Sequence, residues 1–264
     1  MQFETLQLER RDQIAWLTLN RPESLNAMNR ALVGELRAFF TGLGEDHDTR
    51  LVVLRGAGRA FCAGLDLKEG GDGDGSVQAS LHAQRTISEL VIMMRRRVPQ
   101  PIIACVNGAA AGGGFALALA SDVRIATPNV RMNAAFIRIG LSACDVGVSY
   151  FLPRMVGASV AAELLLTGNF IDARRAERLG LVSRVVPDGE LDAAARELAG
   201  DMLRNSPLGL RLTKECLNAS LDAGSLEQVI AMEDRNQILC TRTEDVREGV
   251  AAFLQKRPPH YADR

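Results

Sequence analysis

A chain of 264 residues with a formal net charge of −1 is long enough to bury a large core and carries no excess of positive charge. Hydrophobic residues make up 47% and charged residues 24% of it, as is ordinary for a soluble globular protein. The balanced charge argues against a nucleic-acid-binding or membrane-surface protein, because both classes usually present a basic face.

The five cysteines are scattered and form no CxxC pair, so the sequence indicates neither a metal site nor a disulfide framework. We expect reduced thiols that act as small buried hydrophobic residues, which suits a cytoplasmic protein. The N-terminal segment MQFETLQLER is polar and lacks the apolar core of a signal peptide. The stretch from Pro101 to Ala120 carries no charge. Its proline, β-branched run and glycine triplet favour a buried strand, turn and helix over a membrane span.

The first elements alternate between strands and helices. Two short strands, FETLQLER and QIAWLTLN, precede a helix with the apolar stripe Leu32, Leu36, Phe39 and Phe40. The continuous apolar run LVVLRG is typical of a strand covered on both faces. The polar, glycine-rich segment EGGDGDGSVQ then predicts a mobile loop.

Alternation continues to about residue 190 and is followed by helical patterns alone. A helix marked by Ile87, Leu90, Val91 and Met94 precedes the strand PIIACVNG, the helix GGGFALALA and the strand DVRIAT. Ser225 and Gln228 form a candidate capping box in the later part. The alternation predicts an α/β architecture for residues 1–190, and residues 191–264 are expected to form a helical region suited to oligomerisation.

Two glycine-containing turns, at residues 58–69 and 106–116, each follow an apolar strand. Glycine at such a turn lets a ligand approach the backbone and leaves N–H groups free to donate. Two N–H groups that converge would stabilise an oxyanion, which is the usual way to activate a thioester carbonyl. Taken alone, each of these segments is better explained by glycines that serve tight turns and close helix packing. The triplet lacks the spacing of nucleotide-phosphate loops.

The motifs NRPESLNAM, GAGRAFCAGLDLKE and VNGAAAGGGFALALASDVRIA, in this order, resemble the enoyl-CoA hydratase/isomerase (crotonase) superfamily. IDARRAERLGLVSRVVP and FLQKRPPHY extend the resemblance over nearly the whole chain. It implies a crotonase-like spiral of repeated ββα units, followed by a helical region that forms trimers or dimers of trimers. It also implies an acyl-CoA thioester as substrate, with no metal and no separate cofactor.

The resemblance assigns site residues as well. The oxyanion hole would consist of the backbone N–H groups of Leu65 and Gly113. Five residues match the stretch that borders CoA: Ala63, Leu65, Asp66, Leu67 and Lys68. Phe253 and Lys256 match an aromatic residue and a lysine that meet the CoA of a neighbouring subunit, although an ordinary helix stripe with a solvated lysine is the alternative.

The sequence departs from the hydratase pattern at the acid–base residues. The well-known hydratases use two glutamates, and these positions align with Ala116 and Phe136, neither of which can carry a proton. Asp145 remains, where dienoyl-CoA isomerases and aryl-CoA dehalogenases keep a catalytic aspartate. It would shuttle a proton, orient water or attack as a nucleophile, or else cap a helix beginning near Val146. His82, on a helix that lines the acyl pocket in this family, is a weaker candidate.

These observations predict an acyl-CoA enzyme of the enoyl-CoA hydratase/isomerase type that stabilises an enolate in a backbone oxyanion hole. The nearest alternative is isomerisation of an enoyl-CoA or dienoyl-CoA, or other enolate chemistry that needs one carboxylate. A catalytically silent acyl-CoA-binding oligomer is the alternative from a different class.

Overall fold

A computed structural model describes residues 3–69 and 76–264. The strands are β1 (Leu6–Arg11), β2 (Ile14–Leu19), β3 (Leu51–Gly56), β4 (Ala60–Cys62), β5 (Ile102–Val106), β6 (Ala109–Ala111), β7 (Val123–Ala126), β8 (Arg131–Asn133), β9 (Ile171–Asp172) and β10 (Arg184–Val185). The α-helices are α1 (Arg30–Leu43), α2 (Val77–Ile92), α3 (Gly113–Ala120), α4 (Val148–Val156), α5 (Ala158–Thr167), α6 (Ala173–Arg178), α7 (Leu191–Leu203), α8 (Pro207–Ser220), α9 (Leu226–Thr241) and α10 (Glu244–Gln255). Most of the predicted loop EGGDGDGSVQ lies outside the described residues, and its last two residues already belong to α2.

The central sheet has six strands in the order β1-β2-β3-β5-β7-β10, and only the β1–β2 pair is antiparallel. Its inner strands are continuous apolar runs because both faces are covered. On one face Leu17 and Leu54 join the main core beneath α1. On the other face Trp16 and Ile103 pack against the alanines of α7.

A second sheet has the order β4-β6-β8-β9, in which β4, β6 and β8 run parallel. Each of β3, β5 and β7 is followed directly by one of these strands and then by helical segments. Every repeat therefore places one strand in each sheet, which confirms the predicted α/β fold of repeated ββα units. The same register aligns the carboxyl ends of β4, β6 and β8 at one edge of the second sheet.

The chain after β10 is helical, as predicted. Helix α7 lies against the central sheet, whereas α8 and α9 pack on each other and α10 packs on α9. The last three helices leave large apolar side chains exposed, among them Leu217, Leu226, Ile238, Val250, Phe253 and Leu254. The boundary at residue 190 and the oligomerising role of the tail stay predictions.

The Ser225 hydroxyl accepts the N–H of Gln228, as the capping box requires. The second hydrogen bond of a capping box would join the Gln228 side chain to the N–H of Ser225. Here the Gln228 side chain accepts the N–H of Gly224 instead, one residue earlier. The uncharged stretch from Pro101 to Ala120 forms β5, β6 and α3 in the core, as expected. No helix in the described part of the chain is long and apolar enough to cross a membrane.

The cysteines divide into two groups. Cys62 and Cys105 are buried, and burial raises the pKa of both thiols to about 12, so they remain protonated at neutral pH. The prediction of burial is confirmed for these two. It is wrong for Cys144, which is exposed, and Cys216 and Cys240 are half-buried.

Candidate active site

The two glycine-containing turns meet at the carboxyl ends of β4 and β6. Gly64 has a φ of +98°, and a Cβ built on it would lie 3.4 Å from the amide nitrogen of Gly113 and 2.8 Å from the carbonyl oxygen of Ala111. A Cβ on Gly113 would lie 3.9 Å from the Cα of Gly64. Because Gly64 has no side chain, the backbone of the first turn can lie directly against the backbone at Ala111 and Gly113.

Both predicted N–H groups are free to donate. Gly113 is the first residue of α3, so its N–H has no partner within the helix. Leu65 and Met28 form an isolated parallel β-bridge. The Met28 N–H donates to the carbonyl oxygen of Gly64 at 2.7 Å, and the Asp66 N–H donates to the carbonyl oxygen of Met28 at 3.1 Å. That arrangement turns the Leu65 N–H away from Met28. Within residues 3–69 and 76–264, neither the Leu65 nor the Gly113 N–H has an acceptor.

Neighbouring glycines in the second turn have a different role. A Cβ on Gly114 would lie 2.1 Å from the carbonyl oxygen of Cys62, and one on Gly108 would lie 2.0 Å from the oxygen of Arg59. These two glycines allow β4 and the second turn to pack. The one tight contact of a Cβ on Gly113 is with the flexible side chain of Met28, 3.0 Å from its sulfur. Close packing therefore explains Gly108 and Gly114 but not Gly113.

The segment NRPESLNAM holds the first turn in place, a role that the sequence did not reveal. Arg21 Nη1 donates to the Asp66 carboxylate at 2.9 Å and to the carbonyl oxygen of Ala27 at 2.5 Å. Asn26, which is buried with φ +56°, donates from Nδ2 to the carbonyl oxygens of Ala57 and Ala60. The hydrogen bond from Arg21 lowers the pKa of Asp66. The only signal available in the sequence was the polar pair Arg21 and Asn26 in a proline-containing turn after β2.

Apolar side chains line the third strand end. Phe136 follows β8 and is 5% exposed, and its ring lies 3.4 Å from a Cβ built on Gly112. Ala116, in α3, is 1% exposed. Neither position offers a titratable group beside the two turns. That they are the positions of the hydratase glutamates stays a prediction.

The side chain of Asp145 does not cap α4, so the helix cap that the sequence offered as the alternative is wrong. The helix begins at Val148, its N-cap is Gly147, and no side chain caps it. Asp145 Oδ1 instead accepts the N–H of Val146 at 2.8 Å and Nε2 of Gln84 at 2.6 Å. The half-buried carboxylate is held by its own turn and by α2. The sequence reasoning missed Gln84, because nothing in the pattern of α2 distinguishes it from other polar positions.

The other predicted residues lie at the surface of the single chain. Leu67 is 68% exposed, Lys68 is exposed and Ala63 is half-buried. Phe253 is 83% exposed in α10, and Lys256 ends this helix in the left-handed conformation. Contact of these residues and of Asp66 with CoA stays a prediction. His82 is exposed on α2, and no observation assigns it a role.

Comparison with known proteins gives a consistent result. Residues 9–264 match the family model described as enoyl-CoA hydratase/isomerase. A probable enoyl-CoA hydratase of Mycobacterium tuberculosis is 42% identical over 258 residues, which cover 96% of this chain and 90% of the relative. The 1,2-epoxyphenylacetyl-CoA isomerase of Escherichia coli is 37% identical over 250 residues, 94% of each chain. A putative enoyl-CoA hydratase from Streptomyces coelicolor superposes with a TM-score of 0.95 at 38% identity, over 100% of this chain and 96% of that one. With whole-length agreement in sequence and fold, the chain belongs to the enoyl-CoA hydratase/isomerase family.

Proposed function

We propose that the protein binds an acyl-CoA thioester and stabilises its enolate between the N–H groups of Leu65 and Gly113. The proposal is carried by one observation: Gly64, directly before Leu65, lies beside Gly113, and among the described residues neither the Leu65 nor the Gly113 N–H has an acceptor. When the acyl chain loses a proton next to the carbonyl, the electron pair moves onto the thioester oxygen. Two fixed donors and the N-terminus of α3 favour that negative charge. The relatives named for CoA thioesters support this substrate class.

Asp145 is proposed as the group that moves the proton. Ala116 and Phe136 cannot exchange protons, so a mechanism with two glutamates is not available at those positions. A single carboxylate can take a proton from one acyl carbon and return it to another, which shifts a double bond along the chain. This chemistry is of the hydratase/isomerase type and needs no metal or separate cofactor, since CoA arrives as part of the substrate. Relatives named as a hydratase and as an isomerase support this range of chemistry without ranking one reaction above the other.

Turnover of crotonyl-CoA and trans-3-hexenoyl-CoA tests the proposal, the first for hydration and the second for isomerisation. Asp145→Ala is expected to lower kcat by about 10²- to 10⁴-fold, as is usual for loss of a general base. Asp48→Ala, at an exposed site on the connection before β3, serves as the control and should retain wild-type turnover. Unchanged turnover in Asp145→Ala would remove this residue from the mechanism.

The apolar residues at 116 and 136 favour a second candidate, an acyl-CoA-binding oligomer without catalytic activity. Isothermal titration with butyryl-CoA, combined with the turnover assay, separates the two. Tight binding without turnover of either enoyl-CoA would establish that the protein only binds acyl-CoA and would refute the proposed enzymatic activity.

We also propose assembly through the C-terminal helices into a trimer or a dimer of trimers. The exposed apolar side chains of α8 to α10 support this, because a monomer rarely leaves so many unburied. In such an assembly Phe253 and Lys256 would meet the CoA bound by a neighbouring subunit.

A further inference from the structure

We infer that Gln84 is a positioning residue for Asp145, fixing one carboxylate oxygen so that the other remains available for proton transfer. The inference rests on the proposed function, since it concerns the same carboxylate. It adds a residue on a separate helix, 61 positions away in sequence, to the acid–base machinery.

Both donors to the carboxylate bind the same oxygen. Gln84 Nε2 lies 2.6 Å and the backbone nitrogen of Val146 lies 2.8 Å from Asp145 Oδ1. Among the described residues, none donates to Oδ2. An ionised carboxylate only accepts hydrogen bonds, so the amide nitrogen of Gln84, rather than its oxygen, must face it. The two donors hold Oδ1 and leave Oδ2 as the oxygen that can exchange a proton.

Helix α2 is placed to hold this contact. Gln84 and Val91 are seven residues apart, so they lie on the same face of the helix. Val91 is buried, and its Cγ1 lies 3.2 Å from a Cβ built on Gly147, in the turn that follows Asp145. One face of α2 therefore packs on the turn through Val91 and binds its carboxylate through Gln84. His82, two positions before Gln84, is on a different, exposed face.

The turn itself is strained. Val146 has a φ of +38°, a conformation that a β-branched residue rarely adopts, and its side chain is buried. Its N–H donates to Asp145 Oδ1, and the Val148 N–H donates to the carbonyl oxygen of Asp145 at 2.9 Å. Such strain persists only where surrounding contacts impose it, and it concentrates at functional sites. The Gln84 hydrogen bond is one of the contacts that hold this conformation.

A double-mutant cycle tests the inference. Gln84→Met keeps the length of the side chain and removes the donor, and Asp145→Ala removes the acceptor. We expect Gln84→Met to lower kcat about 10- to 100-fold, the usual effect of losing a hydrogen bond to a charged group, with KM changed less than about two-fold. In the Asp145→Ala background the same substitution should change kcat less than about two-fold, because no carboxylate remains to be positioned. Gln78→Met, an exposed glutamine on the same helix, is the matched control and should behave as wild type.

Each outcome has a distinct meaning. Equal losses from Gln84→Met in both backgrounds would show a merely structural role and overturn the inference. Wild-type kcat in Gln84→Met would overturn it as well, while leaving the role of Asp145 intact if Asp145→Ala is impaired. Wild-type kcat in Asp145→Ala would refute the proton-transfer role proposed for Asp145, and with it the reason for positioning this residue. A wild-type protein that turns over neither crotonyl-CoA nor trans-3-hexenoyl-CoA would reject both.

Discussion

At the scale of single residues, the two consecutive glycines 113 and 114 illustrate how differently the same amino acid is used. Gly114 is needed because a Cβ at this position would lie 2.1 Å from the carbonyl oxygen of Cys62, which is far inside van der Waals contact. Gly113 faces Met28, whose flexible side chain can yield, so the proposed role of this residue depends on its N–H rather than on the missing Cβ.

This difference predicts the effect of two substitutions at Gly113. Gly113→Pro removes the N–H at the first helical position, where proline is otherwise tolerated, and should lower kcat about 10²- to 10³-fold on an enoyl-CoA substrate. Gly113→Ala keeps the N–H, adds a methyl group against Met28 and should retain most of the activity. Steady-state kinetics of both variants decide the point, and equal activities would contradict the assignment of this N–H to the oxyanion hole.

The stability of the folded protein is expected to depend on pH through the ionisation of Asp66. The hydrogen bond from Arg21 lowers its pKa in the folded protein below the value in the unfolded chain. The resulting stabilisation is complete above the unfolded pKa, near pH 4, and is lost as the pH falls through the lowered folded value. Asp66→Asn should therefore be less stable than wild type at pH 6, by about 1–3 kcal/mol, and the gap should narrow as the pH falls towards 3. Urea denaturation at both pH values measures it, and a gap that is constant with pH would refute the ion pair.

At the scale of elements, the C-terminal segment is fastened to the start and middle of α10. Asp245 is buried and accepts the N–H groups of Ala262 and Asp263. Glu248 binds Arg257 through both oxygens and also accepts the N–H of His260. These contacts, Arg257 first, lower the pKa of Glu248 to about 2.

Attachment of residues 257–264 is thus expected to depend on pH. The Glu248 contribution is complete above pH 4.5, the ordinary value for glutamate, and is lost as the pH falls towards 2. Glu248→Gln should make the segment exchange its amide hydrogens faster at pH 7, whereas the control Glu227→Gln on α9 should not. Hydrogen exchange followed by mass spectrometry detects the change. Equal protection of residues 257–264 in wild type and Glu248→Gln at pH 7 would show that Glu248 does not hold this segment on α10.

At the scale of the whole molecule, the ββα repeats and the helical tail expose different surfaces. The repeats bury their strands between layers, but the tail leaves Leu226, Ile238, Phe253 and Leu254 largely in solvent. Burial of such side chains between subunits would contribute roughly 1.5–3 kcal/mol for each one fully buried.

Light scattering on the purified protein should therefore give a mass that is a multiple of three subunits. We expect Phe253→Asp to raise the concentration at which the assembly dissociates, because a charge would replace an apolar contact. The matched change Val77→Asp, at another exposed apolar position outside the tail, should leave the mass unchanged. A monomer at micromolar concentration would refute the assembly.

The sequence alone determined the alternation of strands and helices, the two glycine turns and the family, because periodicity and turn chemistry are local properties of the chain. It also placed Leu65, Gly113 and Asp145 on the segments where the structure has the two turns and the loop before α4. Cys144 was predicted to be buried and is exposed, since burial of a loop residue depends on neighbours that are distant in sequence.

Only the tertiary structure decided how these parts act together. It brought Gly64 next to Gly113, bound Arg21 to Asp66, and gave Asp145 a hydrogen bond from Gln84 in place of the helix cap that the sequence had left open as an alternative. Arg21 and Asp66 are 45 residues apart in the sequence, and Gln84 and Asp145 are 61 residues apart. Such contacts arise from strand register and helix packing, in which many weak interactions fix the position of each element, and no local pattern of residues encodes their outcome.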